Sequence, residues 1–129
     1  MIVIESSALL EVVFNQPYSS LVAAKIETAD KLVISAATLA EVLVVARRRG
    51  VGPEMEESVQ ELSMEVAPVD EAFARKVADA YDRWGKGVHP AGLNLADCFA
   101  YVLAMERDCP LLFVGDDFIK TDVKVAMPP

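Results

Sequence analysis

An α/β fold with a mostly parallel central sheet and helices on both faces is predicted for this chain. Short β-rich apolar runs alternate with longer segments of helical periodicity from end to end. Parallel strands need such crossovers, and the crossover helices cover the sheet. No internal repeat, low-complexity stretch or long linker interrupts the 129 residues, a length that fits one domain over 1–129. A hydrophobic content of 53% is enough to build its core, with some left for a partner surface.

Ile2–Ile4 reads as the first, central strand. Ser6 or Ser7 can cap a helix running to about Asn15, and Pro17 can open a second to about Thr28. Leu32–Ser35 is the second strand. Ser35 then caps a long helix through Ala46, with Arg47, Arg48 and Arg49 in its last turn and Gly50 as its stop. Pro53 starts a helix to about Ser63, and Met64–Ala67 is a short strand. Asp70 caps Glu71–Trp84, where Phe73, Val77, Ala80, Tyr81 and Trp84 keep helical spacing. Gly85–Gly92 is a loop holding His89, the only histidine. Asn94 caps a helix to about Arg107, Leu111–Val114 is the next strand, and Val123–Ala126 is expected as a last edge strand.

The net charge is −8, which argues against a nucleic-acid binder held by a broad basic face. A nuclease remains open, because part of that charge can belong to a metal site. No signal peptide is visible, since Glu5 interrupts the apolar start, and no apolar run reaches the length of a membrane span. Cys98 and Cys109 are expected as free thiols of a reduced, cytoplasmic protein. No Cys/His cluster has the spacing of a zinc site.

Four acids stand where the chain should be apolar or turning: Glu5, Glu41, Asp97 and Asp117. Glu5 ends the first strand. Glu41 is the only charge between Lys31 and Arg47, on a helix with little polar face. Asp97 lies near the start of an apolar helical pattern, and Asp117 follows the fourth strand. Each has an ordinary explanation: a wet turn at Glu5, a lone exposed stripe or salt bridge at Glu41, a capping acid at Asp97, turn chemistry at Asp116 and Asp117. As a set they can converge beyond the carboxyl edge of one sheet, where such folds place their functional crevice. Buried carboxylates need a neutraliser, and a shared divalent cation is the obvious one.

At these residues the chain resembles the PIN-domain family, and within it the VapC-type toxins of bacterial and archaeal toxin–antitoxin pairs. The opening Met1–Leu9, with Glu5, Ser6 and Ser7, is similar to the family's first strand, acid and hydroxyl pair. Ser35–Glu41 resembles its second acidic motif, and Gly85–Asp97 with Cys98 and Tyr101 resembles a subgroup signature leading into the third acid. Pro110–Phe113 with Gly115, Asp116, Asp117 and Phe118 resembles the fourth. The ordered match spans nearly the whole chain.

The resemblance implies a PIN-like three-layer α/β/α sandwich and a metal-dependent endoribonuclease acting on single-stranded or looped RNA. Glu5 and Asp97 would hold Mg²⁺ or Mn²⁺, directly or through water, with Glu41 and Asp117 completing the acidic cluster and Asp116 as the alternative fourth acid. Ser7 would anchor Glu5, and Asn94 would position the loop around Asp97. Lys86, His89 and Arg47 are candidates for drawing in RNA phosphates. It also implies a homodimer and a cognate VapB-like antitoxin, docked on an apolar groove with a basic side chain aimed at the acids. One departure stands out: the family normally carries aspartate where this chain has Glu5. The extra methylene, set against the strict octahedral demand of magnesium, points to reduced or lost activity or a different metal. A catalytically silent binding module is therefore the alternative. A phosphoacceptor receiver domain would need a lysine directly after a late strand, and Lys120 follows Phe118 instead.

Overall fold

The computed structural model describes residues 1–127. Four parallel strands, β1 (Ile2–Ile4), β2 (Leu32–Ser35), β3 (Glu65–Ala67) and β4 (Leu111–Leu112), pair in the order β3-β2-β1-β4. Val3 lies between Val33 and Leu111 in the ladder. Six helices connect and cover them: α1 (Ser6–Val13), α2 (Ser19–Glu27), α3 (Ala36–Arg48), α4 (Gly52–Leu62), α5 (Glu71–Trp84) and α6 (Leu95–Arg107).

The alternation of side chains along each strand sorts the core into two layers. Val3, Val33 and Leu111 point into one, with Phe73, Val77 and Trp84 of α5 and Cys98, Tyr101 and Leu103 of α6. Ile2, Ile4, Leu32, Ile34 and Leu112 point into the other, with Leu9 of α1, Val22 of α2, Val42 of α3 and Met55 of α4. This is a three-layer α/β/α sandwich. Both faces of the sheet are covered, which is why its strands are continuous apolar runs. No helix of the described residues is long and apolar enough to cross a membrane.

Several element ends differ from expectation. Glu5, not Ser6 or Ser7, is the N-cap of α1, its carboxylate accepting the Ser7 N–H. Helix α1 stops at Val13 because the chain turns through Asn15 with φ of 51°. Helix α2 starts at Ser19 rather than Pro17, and the Tyr18 N–H before it donates to the Glu11 carboxylate at 2.7 Å. The expected edge strand Val123–Ala126 is only a single bridge between Val125 and Leu111. Cys109, two residues before Leu111 and so the next to face that edge, has already donated its N–H to the Ala104 carbonyl at the end of α6, so the ladder cannot lengthen that way.

Strand order places the functional edge. The chain steps from β1 to β2 to β3, then crosses back to pair β4 on the far side of β1. The topological switch point, the usual ligand crevice of such sheets, is therefore beyond the carboxyl ends of β1 and β4.

Candidate active site

Glu5 leaves β1 at that switch point, and its N–H donates to the Leu112 carbonyl of β4 at 3.0 Å. It is 4% exposed, which makes it the deepest charged side chain described. Ser6 Oγ donates to Oε1 at 2.7 Å, the Ser7 N–H to Oε2 at 2.8 Å, and Ser7 Oγ to Oε2 in a shorter bond. Ser7 Oγ in turn accepts the Val114 N–H at 2.9 Å. One hydroxyl thus ties the exit of β1 to the exit of β4. Burial pushes the Glu5 carboxyl above its ordinary range; the serine bonds oppose this and the neighbouring Asp97 charge adds to it.

Asp97 is the third residue of α6. Its Oδ2 accepts the Asn94 N–H at 2.9 Å while Asn94 Oδ1 accepts the Asp97 N–H at 2.8 Å, a reciprocal capping box. The capping explanation and a site role are compatible here, because the box orients the carboxylate instead of removing it. Burial raises the Asp97 carboxyl, the charges of Glu41 and Asp117 raise it further, and the Asn94 bond and Lys86 pull it down. Glu41 is half-buried on α3, Asp117 is exposed before the 3-10 turn Phe118–Lys120, and Glu5 lies at the end of β1. The Asp97 charge therefore acts on Glu5, and those of Glu41 and Asp117 act on Asp97. Asp116 does not act on Asp97 in this way; it lines a neighbouring cleft with Tyr18 and Phe113.

The oxygen-only donor set suits a hard cation such as Mg²⁺ or Mn²⁺, which takes one or two carboxylates and keeps several waters. Among the described residues no three Asp, Glu, His or Cys side chains are close enough to enclose an ion. Both Glu5 oxygens already accept hydrogen bonds, and Oε1 carries only one. The arrangement fits a hydrated ion held by few direct bonds. It does not form a closed cage.

The cations divide by what they touch. Lys86 is near enough to act on Asp97. His89 is committed to its loop: Nδ1 accepts the Ala91 N–H at 3.0 Å and the ring meets Trp84 edge-on at 4.7 Å. Arg47 pairs with Glu56 of α4 at 3.4 Å. Arg49, expected only as part of the charge run that ends its helix, lies 5.4 Å above the Phe14 ring and lines an open cleft of about 400 Å³ together with Ser7 and Val114. The run of three arginines was its only signal. Ser6 was also undervalued, as one of a hydroxyl pair whose separate bonds only coordinates reveal. Cys98 and Cys109 are free and buried, and burial followed by the Asp97 charge pushes the Cys98 thiol up to about 11, so it is inert as a nucleophile.

Comparison with known proteins agrees with this architecture. The family model described as "PIN domain" matches residues 2–124. Ribonuclease VapC28 of Mycobacterium tuberculosis is 35% identical over 129 residues, covering 97% of each chain. A VapC ribonuclease of Mycolicibacterium smegmatis is 36% identical over 124 residues, covering 94% of this chain and 96% of its own. Among solved structures, the M. tuberculosis VapC20 toxin, described as cleaving the sarcin–ricin loop, superimposes with a TM-score of 0.82 at 12% identity, covering 99% of this chain and 100% of its own. A toxin–antitoxin complex from Klebsiella pneumoniae contains a chain with a TM-score of 0.72 at 14% identity, covering 95% of this chain and 93% of its own.

Proposed function

Because this chain belongs to the PIN-domain family and its VapC relatives match it along nearly their whole length, we propose that it is a VapC-type toxin: a metal-dependent endoribonuclease for single-stranded or looped RNA. The observation that carries the reading is the buried Glu5 at the switch point, tied by Ser6 and Ser7 and raised by burial and the nearby Asp97, itself raised by burial, Glu41 and Asp117.

Glu5 and Asp97 would hold Mg²⁺ or Mn²⁺, directly or through water. Such an ion, when bound, would supply a water of lowered pKa and stabilise charge on the phosphoryl oxygens. Ser6 and Ser7 fix both oxygens of Glu5, and Asn94 fixes Asp97, so neither carboxylate has to be ordered when RNA arrives. Glu41 and Asp117 would orient waters beside the ion. Lys86 offers its ammonium to a substrate phosphate beside Asp97. A cognate VapB-like antitoxin silences the toxin by docking on the protein and presenting a basic side chain to these acids. The apolar groove between α1, α2 and α4, lined by Leu9, Val13, Ile26 and Leu62, suits its helix. The toxin acts in the cytoplasm as a homodimer.

The test is cleavage of RNA by the purified chain with and without Mn²⁺. Asp97→Asn keeps the capping geometry and is expected to lower turnover by more than about a hundredfold, since losing even an outer partner of a metal site costs about 10–100-fold. Unchanged turnover would remove the site. The second reading is a PIN-like binding module that cuts nothing. It is favoured by Glu5, whose carboxylate already caps its own helix; in that case calorimetry finds no Mn²⁺ binding until position 5 is returned to aspartate.

A further inference from the structure

A cleft of about 340 Å³ opens beside the acid cluster, between the start of α2 and the segment leaving β4. Tyr18, Leu21 and Ile119 line it and are 52%, 59% and 38% exposed, an unusual amount of apolar surface to leave wet in one place. Phe113, 5% exposed and packed on Phe118 with ring centroids 5.1 Å apart, also lines it. Asp116 is the one charged residue in this lining.

The cleft adjoins the site through the chain that leaves β4. Asp116 directly precedes Asp117, and Val114, on the same wall, is held by the Ser7 hydroxyl that holds Glu5. A nucleotide whose phosphate lies among the acids therefore has this cleft within reach of its base. The volume suits one nucleoside rather than the face of a helix. Single-stranded RNA is read by stacking bases on aromatic side chains and by hydrogen bonds to their Watson–Crick edges. An ionised carboxylate can only accept. Guanine alone presents two adjacent donors, N1–H and the N2 amino group, which match the two oxygens of one carboxylate. Adenine and cytosine set one amino group beside an acceptor nitrogen, and uracil flanks its single N–H with two carbonyls.

We propose that this cleft is a base-recognition pocket, in which a guanine next to the scissile phosphate stacks on Tyr18 and donates its N1–H and N2–H to the Asp116 carboxylate. The inference rests on the ribonuclease reading for its substrate class, so binding and cleavage are measured separately.

Binding is read by fluorescence anisotropy with the Asp97→Asn chain and labelled pentanucleotides of uridine that carry guanosine, adenosine, cytidine or uridine at the centre. The guanosine oligomer is expected to bind about tenfold more tightly than the others. Tyr18→Ala should cost about tenfold in its affinity while Tyr18→Phe keeps it, because the ring face and not the hydroxyl does the stacking. Asp116→Asn should bring all four oligomers within about twofold of one another. Equal or undetectable binding of the four overturns the pocket, as does a guanine preference that survives both Tyr18→Ala and Asp116→Asn. So does a Tyr18→Ala chain that binds RNA normally but loses its dimer or its antitoxin, which would make the cleft a protein-docking surface. A chain that selects guanine but cuts no RNA leaves the pocket standing and removes the ribonuclease reading. One that cuts all four oligomers alike does the reverse.

Discussion

Replacing Ser7 by alanine is expected to destabilise the protein more than replacing Ser6, although both hydroxyls bond the same carboxylate. Ser6 Oγ makes one bond, to Glu5 Oε1 at 2.7 Å. Ser7 Oγ makes one to Oε2 and also accepts the Val114 N–H at 2.9 Å. A hydrogen bond to a charged group is worth about 1.5–3 kcal/mol, and a buried donor left without a partner costs about 1–3 kcal/mol. Ser6→Ala should therefore cost about 2 kcal/mol and Ser7→Ala about 3–4 kcal/mol, against a typical domain stability of about 5–15 kcal/mol. The half-buried position of Ser7 lets water recover part of the loss, so the difference should fall near about 1 kcal/mol. The pH dependence has a fixed sign. Glu5 titrates above its ordinary 4.5 in the folded protein. The folded state therefore binds that proton more tightly than the unfolded one, and the group's contribution to stability falls as pH rises from 4.5 through its folded value. The Ser7 bonds hold that value down. Without them it rises further, and the deficit of Ser7→Ala is larger at about pH 8 than at about pH 5. Urea unfolding followed by circular dichroism at the two pH values reads both effects. A Ser7→Ala loss no greater than that of Ser6→Ala, or one that grows toward acid pH, would refute the reasoning.

Glu5→Asp shortens the acid by one methylene while keeping a good helix cap; RNA cleavage with Mn²⁺ should rise, and equal rates would show that the longer side chain does not attenuate the site. Glu65 pairs with Lys31 at 2.6 Å and with Arg107, which together hold its carboxyl down at about 2. That contribution is present above the ordinary 4.5 and lost as pH falls toward 2, so Glu65→Gln should flatten the acid limb of a urea-midpoint profile between those values, and an unchanged limb would mean the cluster is not formed in solution. The Tyr101 hydroxyl accepts the Trp84 Nε1–H at 3.0 Å and donates to Asp122 at 2.5 Å, and burial, with the Asp122 bond, pushes the phenol up to about 12. Tyr101→Phe leaves the buried indole N–H without a partner and should cost about 1–3 kcal/mol in urea unfolding, whereas a neutral result would place a water at the indole.

The fold class, the parallel sheet and most helix starts were legible in the chain because they depend on neighbours a few residues apart. Asp70, Ser35 and Asn94 cap the helices that follow them, as their types and positions predict. The order of the four acids was legible for the same reason. Their mutual placement was not. Whether Asp117 or Asp116 turns toward Asp97 depends on how the chain twists after β4, which no local pattern encodes. Among the three arginines, helix rotation against α4 and α1 sends Arg47 to Glu56 and Arg49 to the cleft beside Ser7. Glu5 looked like a strand-end acid awaiting a metal; it caps its own helix through a local bond, but only the return of β4 beside β1 brings Val114 onto Ser7. By itself the sequence determined which groups the protein possesses and in what order. Tertiary structure decided which of them meet, because contacts between residues far apart in the chain are set by crossover and rotation and not by spacing.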